Sequence, residues 1–363
     1  MNVARALVSR VNRLVGELCR TRERVSLMEV CGTHTMAISG FGIRRAVDPR
    51  LRLLSGPGCP VCVTDQTEID AAIELARVPG VSITTFGDMV RVPGSRGSLE
   101  QARAEGADVR VVYSALDAVG MAADEPEREY VFLGVGFETT APTVAAAVKD
   151  AARRRVGNFS VWPMFKLIPP ALRFICEVRR AKQGIDGFIL PGHVSTIIGT
   201  RPYEFVAREF GVPCCVAGFE ATDVLQAILM LLEQLSDGRA EVENQYRRSV
   251  KPEGNRRARQ VMDSVFAKTD AVWRGLGRVG GSGLGFRPRW QRHDASRRFR
   301  IRAKKPKPSA CRCGDVMLGV VVPPECRLFA RGCTPERPAG PCMVSSEGAC
   351  AAYYKYERQT DSR

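Results

Sequence analysis

Four cysteines, Cys326, Cys333, Cys342 and Cys350, are separated by gaps of six, eight and seven residues in a run filled with Pro and Gly. Four soft sulfur donors on one short, loop-rich segment are what an iron–sulfur cluster or a structural zinc requires. Buried thiols or disulfides would use the same residues. This cysteine density in a chain with no apolar signal-peptide core favours a metal centre. Cys311 and Cys313 precede the run as a C-x-C, either spare ligands or packing residues. Cys19, Cys176, Cys214 and Cys215 lie in apolar contexts and read as core thiols.

Other constellations lie upstream. CGTHT holds Cys31 and His34 three apart, so a helix or tight turn can aim both at one point. That pairing suits metal ligation or a thiolate activated by imidazole, and also a buried thiol beside a hydrogen-bonded histidine. GPGCPVC carries Cys59 and Cys62 as C-x-x-C, a spacing that forms reversible disulfides or gives two ligands to a metal. PGHVSTIIG puts His193 at a strand end, as an acid, a base or a structural donor. GFETT (Glu138) and GFEATD (Glu220, Asp223) place carboxylates at strand-to-helix turns, where helix capping is their simplest role. TFGDMVRVPGS sets Asp88, Arg91 and Ser95 in a loop but lacks the Lys and Ser/Thr of a phosphate-binding loop.

The elements that must position these residues follow a simple rhythm. RLRLLSG, VSITTFG and VRVVYS read as strands, with helices or turns over residues 70–77, 99–105 and 116–121. After the charged stretch 124–129 the pattern restarts with YVFLGVG, a helix from about Ala141, FSVWPMF, a helix over 170–182, GIDGFILPG and VPCCVAGF. Near-continuous apolar strands alternating with helices indicate parallel sheets covered on both faces. The fold class is therefore α/β: two tandem parallel-sheet units over 50–127 and 128–237. A third, mostly helical or irregular unit combines 1–49 with 238–363. In such sheets ligands sit beyond the carboxyl ends of strands, where the motifs fall. A long amphipathic helix is expected over 223–247, then an irregular basic arm over 274–310.

The chain has 363 residues, enough for two or three domains, with 45% hydrophobic and 26% charged residues, as in a soluble globular protein. No apolar run approaches the length that spans a bilayer. Val3, Leu7, Val11, Leu14 and Leu18 fall at helical spacing, and the nearby Glu17 and Glu23 favour a first structural helix over a transit peptide. Thirteen cysteines, an odd number, argue for a reducing cytoplasm rather than a disulfide framework. The net charge of +15 is concentrated: residues 251–310 hold 17 Lys and Arg against 4 Asp and Glu. A solvated or partner-docking face explains this better than nucleic acid, because no nucleic-acid module accompanies the charge.

Taken in order, CGTHT, GPGCPVC, TFGDMVRVPGS, GFETT, PGHVSTIIG, GFE-x-x-D, NQY, PEGN, WRGLG and the cysteine tail resemble the hydrogenase maturation factor HypD family over nearly all of residues 28–357. The resemblance implies a factor that builds the iron centre of nickel–iron hydrogenases, an iron with two cyanides and one carbon monoxide. It implies work in complex with the chaperone HypC, cyanide delivered by HypE as a thiocyanate, and the hydrogenase large subunit as indirect recipient. It implies a [4Fe-4S] cluster on Cys326, Cys333, Cys342 and Cys350, nascent iron held at Cys31 beside His34, and a thiol–disulfide relay at Cys59 and Cys62. His193 and Glu347 (in SSEGAC) are further site candidates by the same resemblance. Asp65 and Ala221 stand where the family pattern has proline, away from every proposed ligand. Two other readings compete: a stand-alone cluster-dependent disulfide reductase, and a zinc-stabilised nucleic-acid-binding protein.

Overall fold

Leucine- and β-branched-rich runs form two parallel sheets in the computed structural model, which describes residues 2–180, 184–301, 306 and 309–358. The strands are β1 (Val25–Glu29), β2 (Leu51–Ser55), β3 (Val81–Thr85), β4 (Asp108–Val111), β5 (Glu129–Gly134), β6 (Phe159–Pro163), β7 (Gly187–Pro191), β8 (Cys214–Ala217) and β9 (Val242–Asn244). One sheet has the order β2-β1-β7-β8-β9 and the other β4-β3-β5-β6, with every pairing parallel. β1, β3 and β7 are buried along their whole length, including the polar Ser26, Glu29, Ser82, Thr84 and Thr85.

The α/β class with two parallel sheets is the one the alternation predicts. The strands, however, enter the sheets in an interleaved order. β2, expected beside β3 and β4 within 50–127, pairs instead with β1 in the register Val25↔Leu51. The chain leaves the five-stranded sheet after β2, builds the whole four-stranded sheet over residues 81–163, and returns at β7. The expected division at 127/128 therefore falls inside the four-stranded sheet, between β4 and β5. Alternation marks where apolar strands lie but not which neighbours they choose, and VSLME of β1, which carries Ser26 and Glu29 and follows charged sequence, does not register as a strand.

The segment 1–49, expected with the cysteine tail, contributes to both. Its helix Asn2–Leu18 buries Val11 and Val15 against Leu225, Ile228 and Leu232 of the helix Ala221–Ser236, as its apolar spacing predicts. Its second helix, Gly32–Gly40, meets the C-terminal helix Ala349–Tyr356, and Ser39 and Arg44 bind Glu357 nearby. The long helix expected over 223–247 stops at Ser236. Gly238 follows with φ +65°, and the chain turns into β9.

Residues 274–286, expected to be irregular, lie mostly in an antiparallel hairpin, β10 (Phe266–Trp273) with β11 (Gly277–Phe286). Glycines in GRVGGSGLGF hide the strand signal because they lack side chains that would alternate. The hairpin seats a fully buried Trp273, whose indole N–H donates to Ser282 Oγ at 2.8 Å. The turn after it needs Gly275, with φ +80° and a Cα packed directly against Gly314 next to Cys313. Residues 302–305 and 307–308 of the basic stretch, and 181–183 at the end of the helix expected over 170–182, lie outside the described residues.

Glu138 caps the connection between the sheets. It is buried, and its carboxylate accepts the Ile168 N–H at 3.1 Å, at the start of the helix Ile168–Arg180 that leads from β6 to β7. Burial raises its pKa to about 7. A raised acid favours the folded state while protonated, so this contribution is complete below the ordinary carboxylate pKa and is lost as pH climbs through 7. Glu138→Gln is expected to remove a decline in stability between pH 4.5 and 7 of roughly 3 kcal/mol. Urea unfolding of both proteins across that range measures it, and parallel pH profiles would refute it.

Candidate functional site

The site forms where two adjacent parallel strands end. β1 delivers Cys31 and β2 delivers GPGCPVC, and their pairing continues beyond both strands: Gly56 N–H donates to Glu29 O at 2.7 Å, and Gly32 N–H to Gly58 O at 2.8 Å. A methyl on Gly58 would collide with the backbone of Cys31, so glycine is what lets the two sulfur-bearing loops touch. Cys59 and Cys62 are disulfide-bonded, with a Cα–Cα distance of 5.2 Å.

Cys31 caps the helix Gly32–Gly40 and is almost fully buried. Burial pushes its thiol up to about 12. The backbone N–H groups of His34 and Thr33 oppose that shift, and the carboxyls of Glu347 and Glu29 add to it. Beneath it Glu29 accepts the Cys31 N–H at 2.9 Å and the Thr35 hydroxyl, and burial raises its pKa to about 8. Sequence reasoning missed Glu29; its signal was a lone carboxyl two residues before Cys31, inside an apolar run.

His34 is also buried, and its Nε2 lies 2.9 Å from Gly218 O and 3.3 Å from Ala217 O. Two carbonyl acceptors place the proton on Nε2 and leave Nδ1 as a buried lone pair without a partner. Desolvation holds the ring pKa down at about 4, so the imidazole is neutral. Phe219 stands between the two motif histidines, with ring centroids 4.9 Å from His34 and 4.0 Å from the exposed His193. Glu347 closes the other side: its Oε1 accepts from the Thr33 hydroxyl at 2.8 Å, and its side chain lies on the bare Cα of Gly32. Cys31, His34, Cys59, Cys62, His193 and Glu347 are thus gathered in one region by β1, β2, β7, β8 and the C-terminal tail.

The loop Ser345–Gly348 joins that region to the cysteine-rich tail. Ser345 Oγ lies 3.3 Å from Cys59 Sγ and 3.0 Å from Asp88 Oδ2, and Asp88 also accepts from the Ser346 amide and hydroxyl at 2.9 and 2.8 Å. Arg91 donates to Pro335 O at 2.7 Å, so TFGDMVRV grips the tail at two points.

Among the described residues, no group of three or more His, Cys, Asp or Glu side chains is arranged around one point to hold a metal. The tail thiols nevertheless lie together. Cys350 lies within electrostatic reach of Cys311, Cys333, Cys313 and Cys326, while Cys342 and Cys313 are in hydrogen-bond contact. The C-x-C pair therefore belongs to this cluster of six thiols, which widens the ligand candidates beyond Cys326, Cys333, Cys342 and Cys350. Cys333 Sγ accepts the Ala339 N–H at 3.3 Å, Cys311 Sγ rests on the bare Cα of Gly340, and Arg274 sits beside Cys311, Cys313 and Cys342. Soft donors, an N–H···S bond and a neighbouring cation are the surroundings a thiolate-bound cluster needs.

Much of the basic stretch serves the fold. Arg274 binds Thr64 O and Gln66, Arg287 binds backbone carbonyls of Asp263 and Phe266, and Arg298 pairs with Glu129. No helix among the described residues is long and apolar enough to cross a membrane.

A buried, protonated thiol reacts slowly. In the metal-free chain, Cys31 is expected to alkylate with iodoacetamide at pH 8 more than about ten-fold slower than free cysteine. Gly58→Ala, which forces the two loops apart, should abolish that protection and lower stability by about 1–3 kcal/mol. Peptide mass spectrometry over a time course and urea unfolding measure the two effects; rapid labelling of the parent chain would contradict the assigned burial.

Similarity to known proteins extends along nearly the whole chain. The HypD family model, described as a hydrogenase formation hypA family, matches residues 2–357. The hydrogenase maturation factor HypD of Rhodobacter capsulatus is 46% identical over 361 residues, covering 98% of this chain and 95% of that protein. Its counterparts from Cupriavidus necator and Escherichia coli are 47% and 45% identical, covering 98% and 97% of this chain and 96% and 95% of their own lengths. The chain belongs to the HypD family of hydrogenase formation proteins.

Proposed function

We propose that this protein is a cytoplasmic hydrogenase maturation factor on which, together with a HypC-type chaperone, the Fe(CN)2CO centre of a nickel–iron hydrogenase is assembled. The observation that supports this best is the contact between the Cys31 loop and the Cys59–Cys62 loop, sealed by Gly58. It sets a soft iron ligand against a two-electron thiol couple. In this reading the nascent iron is cargo. Cys31 surrenders its proton on binding it, since a metal ion competes well against a thiol raised by burial. His34, neutral and with a free Nδ1, adds a nearby base or ligand, and His193 and Glu347 line the entrance.

Cyanide arrives as a thiocyanate on HypE, and its release requires two electrons. The Cys59–Cys62 dithiol supplies them: R–SCN and two thiols give R–S⁻, CN⁻, a disulfide and two protons. The disulfide seen here is the product side of that reaction. Four of the six tail thiols would hold a [4Fe-4S] cluster: Cys326, Cys333 and Cys350, with Cys342 or Cys311 as fourth. When bound, such a cluster supplies electrons one at a time. Arg274 offsets part of the thiolate charge, and the Ala339 N–H polarises Cys333. The finished centre passes to the hydrogenase large subunit.

Anaerobic co-purification with HypC, followed by metal analysis and infrared spectroscopy, tests the proposal. Cyanide and carbonyl stretching bands are expected on the complex and should vanish with Cys31→Ala. A zinc-loaded or metal-free tail would remove the electron-transfer role. A Cys31→Ala protein that keeps full cluster-dependent disulfide reduction, with no iron on the parent complex, would establish the stand-alone reductase instead.

A further inference from the structure

Ser345 occupies a position that the thiol couple alone does not explain. It is 1% exposed, and its Oγ meets three groups. It lies 3.3 Å from Cys59 Sγ and 3.0 Å from Asp88 Oδ2, and it accepts the N–H of Glu347 at 3.2 Å. Glu347 in turn holds Thr33 and packs on Gly32, next to Cys31. One hydroxyl therefore touches a sulfur of the couple, the carboxylate that anchors the tail, and the backbone of the residue that buttresses the iron-site loop. A hydroxyl has a single hydrogen to donate. In the disulfide form Cys59 sulfur is a poor acceptor, and the carboxylate of Asp88 takes that hydrogen. A Cys59 thiolate would be a charged competitor for it.

We propose that Ser345 is a positioning residue that makes Cys59 the reactive thiolate of the reduced pair, its hydroxyl turning from Asp88 to the Cys59 sulfur when the disulfide opens.

The two cysteines are unequal in a way that agrees. Cys59 sulfur already accepts the Cys62 N–H at 3.1 Å, and with Ser345 it would have two donors. Cys59 is also the less buried of the two, at 5% exposure against 1% for Cys62. Reduction by a dithiol balances simply: the protein disulfide and the dithiol give the Cys62 thiol, the Cys59 thiolate, a cyclic disulfide and one proton. The turn of the hydroxyl reports that change to the loop Ser345–Gly348. Asp88 loses one of its three donors but keeps both from Ser346, so the tail stays attached while Glu347 is left on a reoriented hydroxyl. This inference rests on the reading of Cys59 and Cys62 as a reversible couple.

The test is a pH series of iodoacetamide labelling on the dithiol-reduced full chain, with each cysteine resolved by mass spectrometry, alongside equilibration in dithiol buffers. In the parent chain Cys59 should label well before Cys62. Ser345→Ala should slow Cys59 labelling at pH 7 about ten-fold, the worth of one hydrogen bond to a charged sulfur, and shift its pH profile upward. Ser345→Thr, which keeps a hydroxyl, should restore much of it. Asp88→Asn weakens the competing acceptor and should move the pair the opposite way, toward the reduced form. If Ser345→Ala and Asp88→Asn shift labelling and equilibrium in the same direction, or not at all, the inference is overturned while the couple stands. A parent disulfide that cannot be reversibly reduced overturns the couple and the inference with it.

Discussion

Parallel pairing of β1 with β2 is the constraint from which the rest of the site follows. Parallel neighbours end on the same side of a sheet, so whatever follows β1 must meet whatever follows β2. Here the two followers are CGTHT and GPGCPVC. The ladder continues past both strands through Gly56 and Gly58, and the absence of a side chain at Gly58 brings the backbones into contact. The fold could not have placed β2 beside β3, as its order in the chain suggests, without carrying the two sulfur motifs to different sheets. Interleaving is thus the topological condition for a two-loop sulfur site. The insertion of the four-stranded sheet between β2 and β7 brings Asp88 and Arg91, from the turn after β3, into reach of the C-terminal tail.

Around that contact the interior is electrically quiet. Glu29, Glu138 and Cys31 are raised by burial and His34 is lowered, so each of the four is pushed toward its neutral form. Among the described residues the one buried lysine, Lys166, is paired with both carboxylate oxygens of Glu68 at 2.9 Å. Burial of this kind holds the thiol of Cys31 protonated, a form that oxidants and alkylating agents attack slowly.

Residue types and spacing made the chemistry legible and left the topology hidden. The alternation of apolar runs with helices gave the α/β class and the positions of seven of the strands, β2 to β8, because buried parallel strands are rich in apolar residues. It could not give partners, and it missed β1, whose five residues include the buried Glu29. The Gly-rich segment 277–286 concealed a hairpin for a related reason: glycine leaves no alternation to read, yet here it lets β11 pass close to Ala271 and lets the turn lie on Gly314. Cys31, His34, the C-x-x-C pair, His193 and Glu347 were legible as candidates, but their convergence was not, since they come from positions as far apart as 31 and 347 in the chain. Glu29 lay outside every motif, and Ser345 and Phe219, within SSEGAC and GFEATD, were not singled out by their residue type. Each acts through burial and contact, which only packing reveals.

The tail shows how far such contacts extend. Ser345, Ser346 and Glu347 lie between Cys342 and Cys350, so any ligand set that includes either thiol fixes the ends of the loop that touches the disulfide and Gly32. Gly348 has no room for a side chain against the backbone of Cys342, which makes that loop short and stiff. Arg274, on the turn after β10, reaches both Thr64 beside the C-x-x-C and the thiol cluster, and closes the circuit from the other direction. Ser345 and Glu347 link the disulfide to the Cys31 loop by hydrogen bonds, and Arg274 ties the segment after the C-x-x-C to the neighbourhood of the tail thiols. The two ends of the polypeptide therefore meet around one set of sulfur-bearing loops.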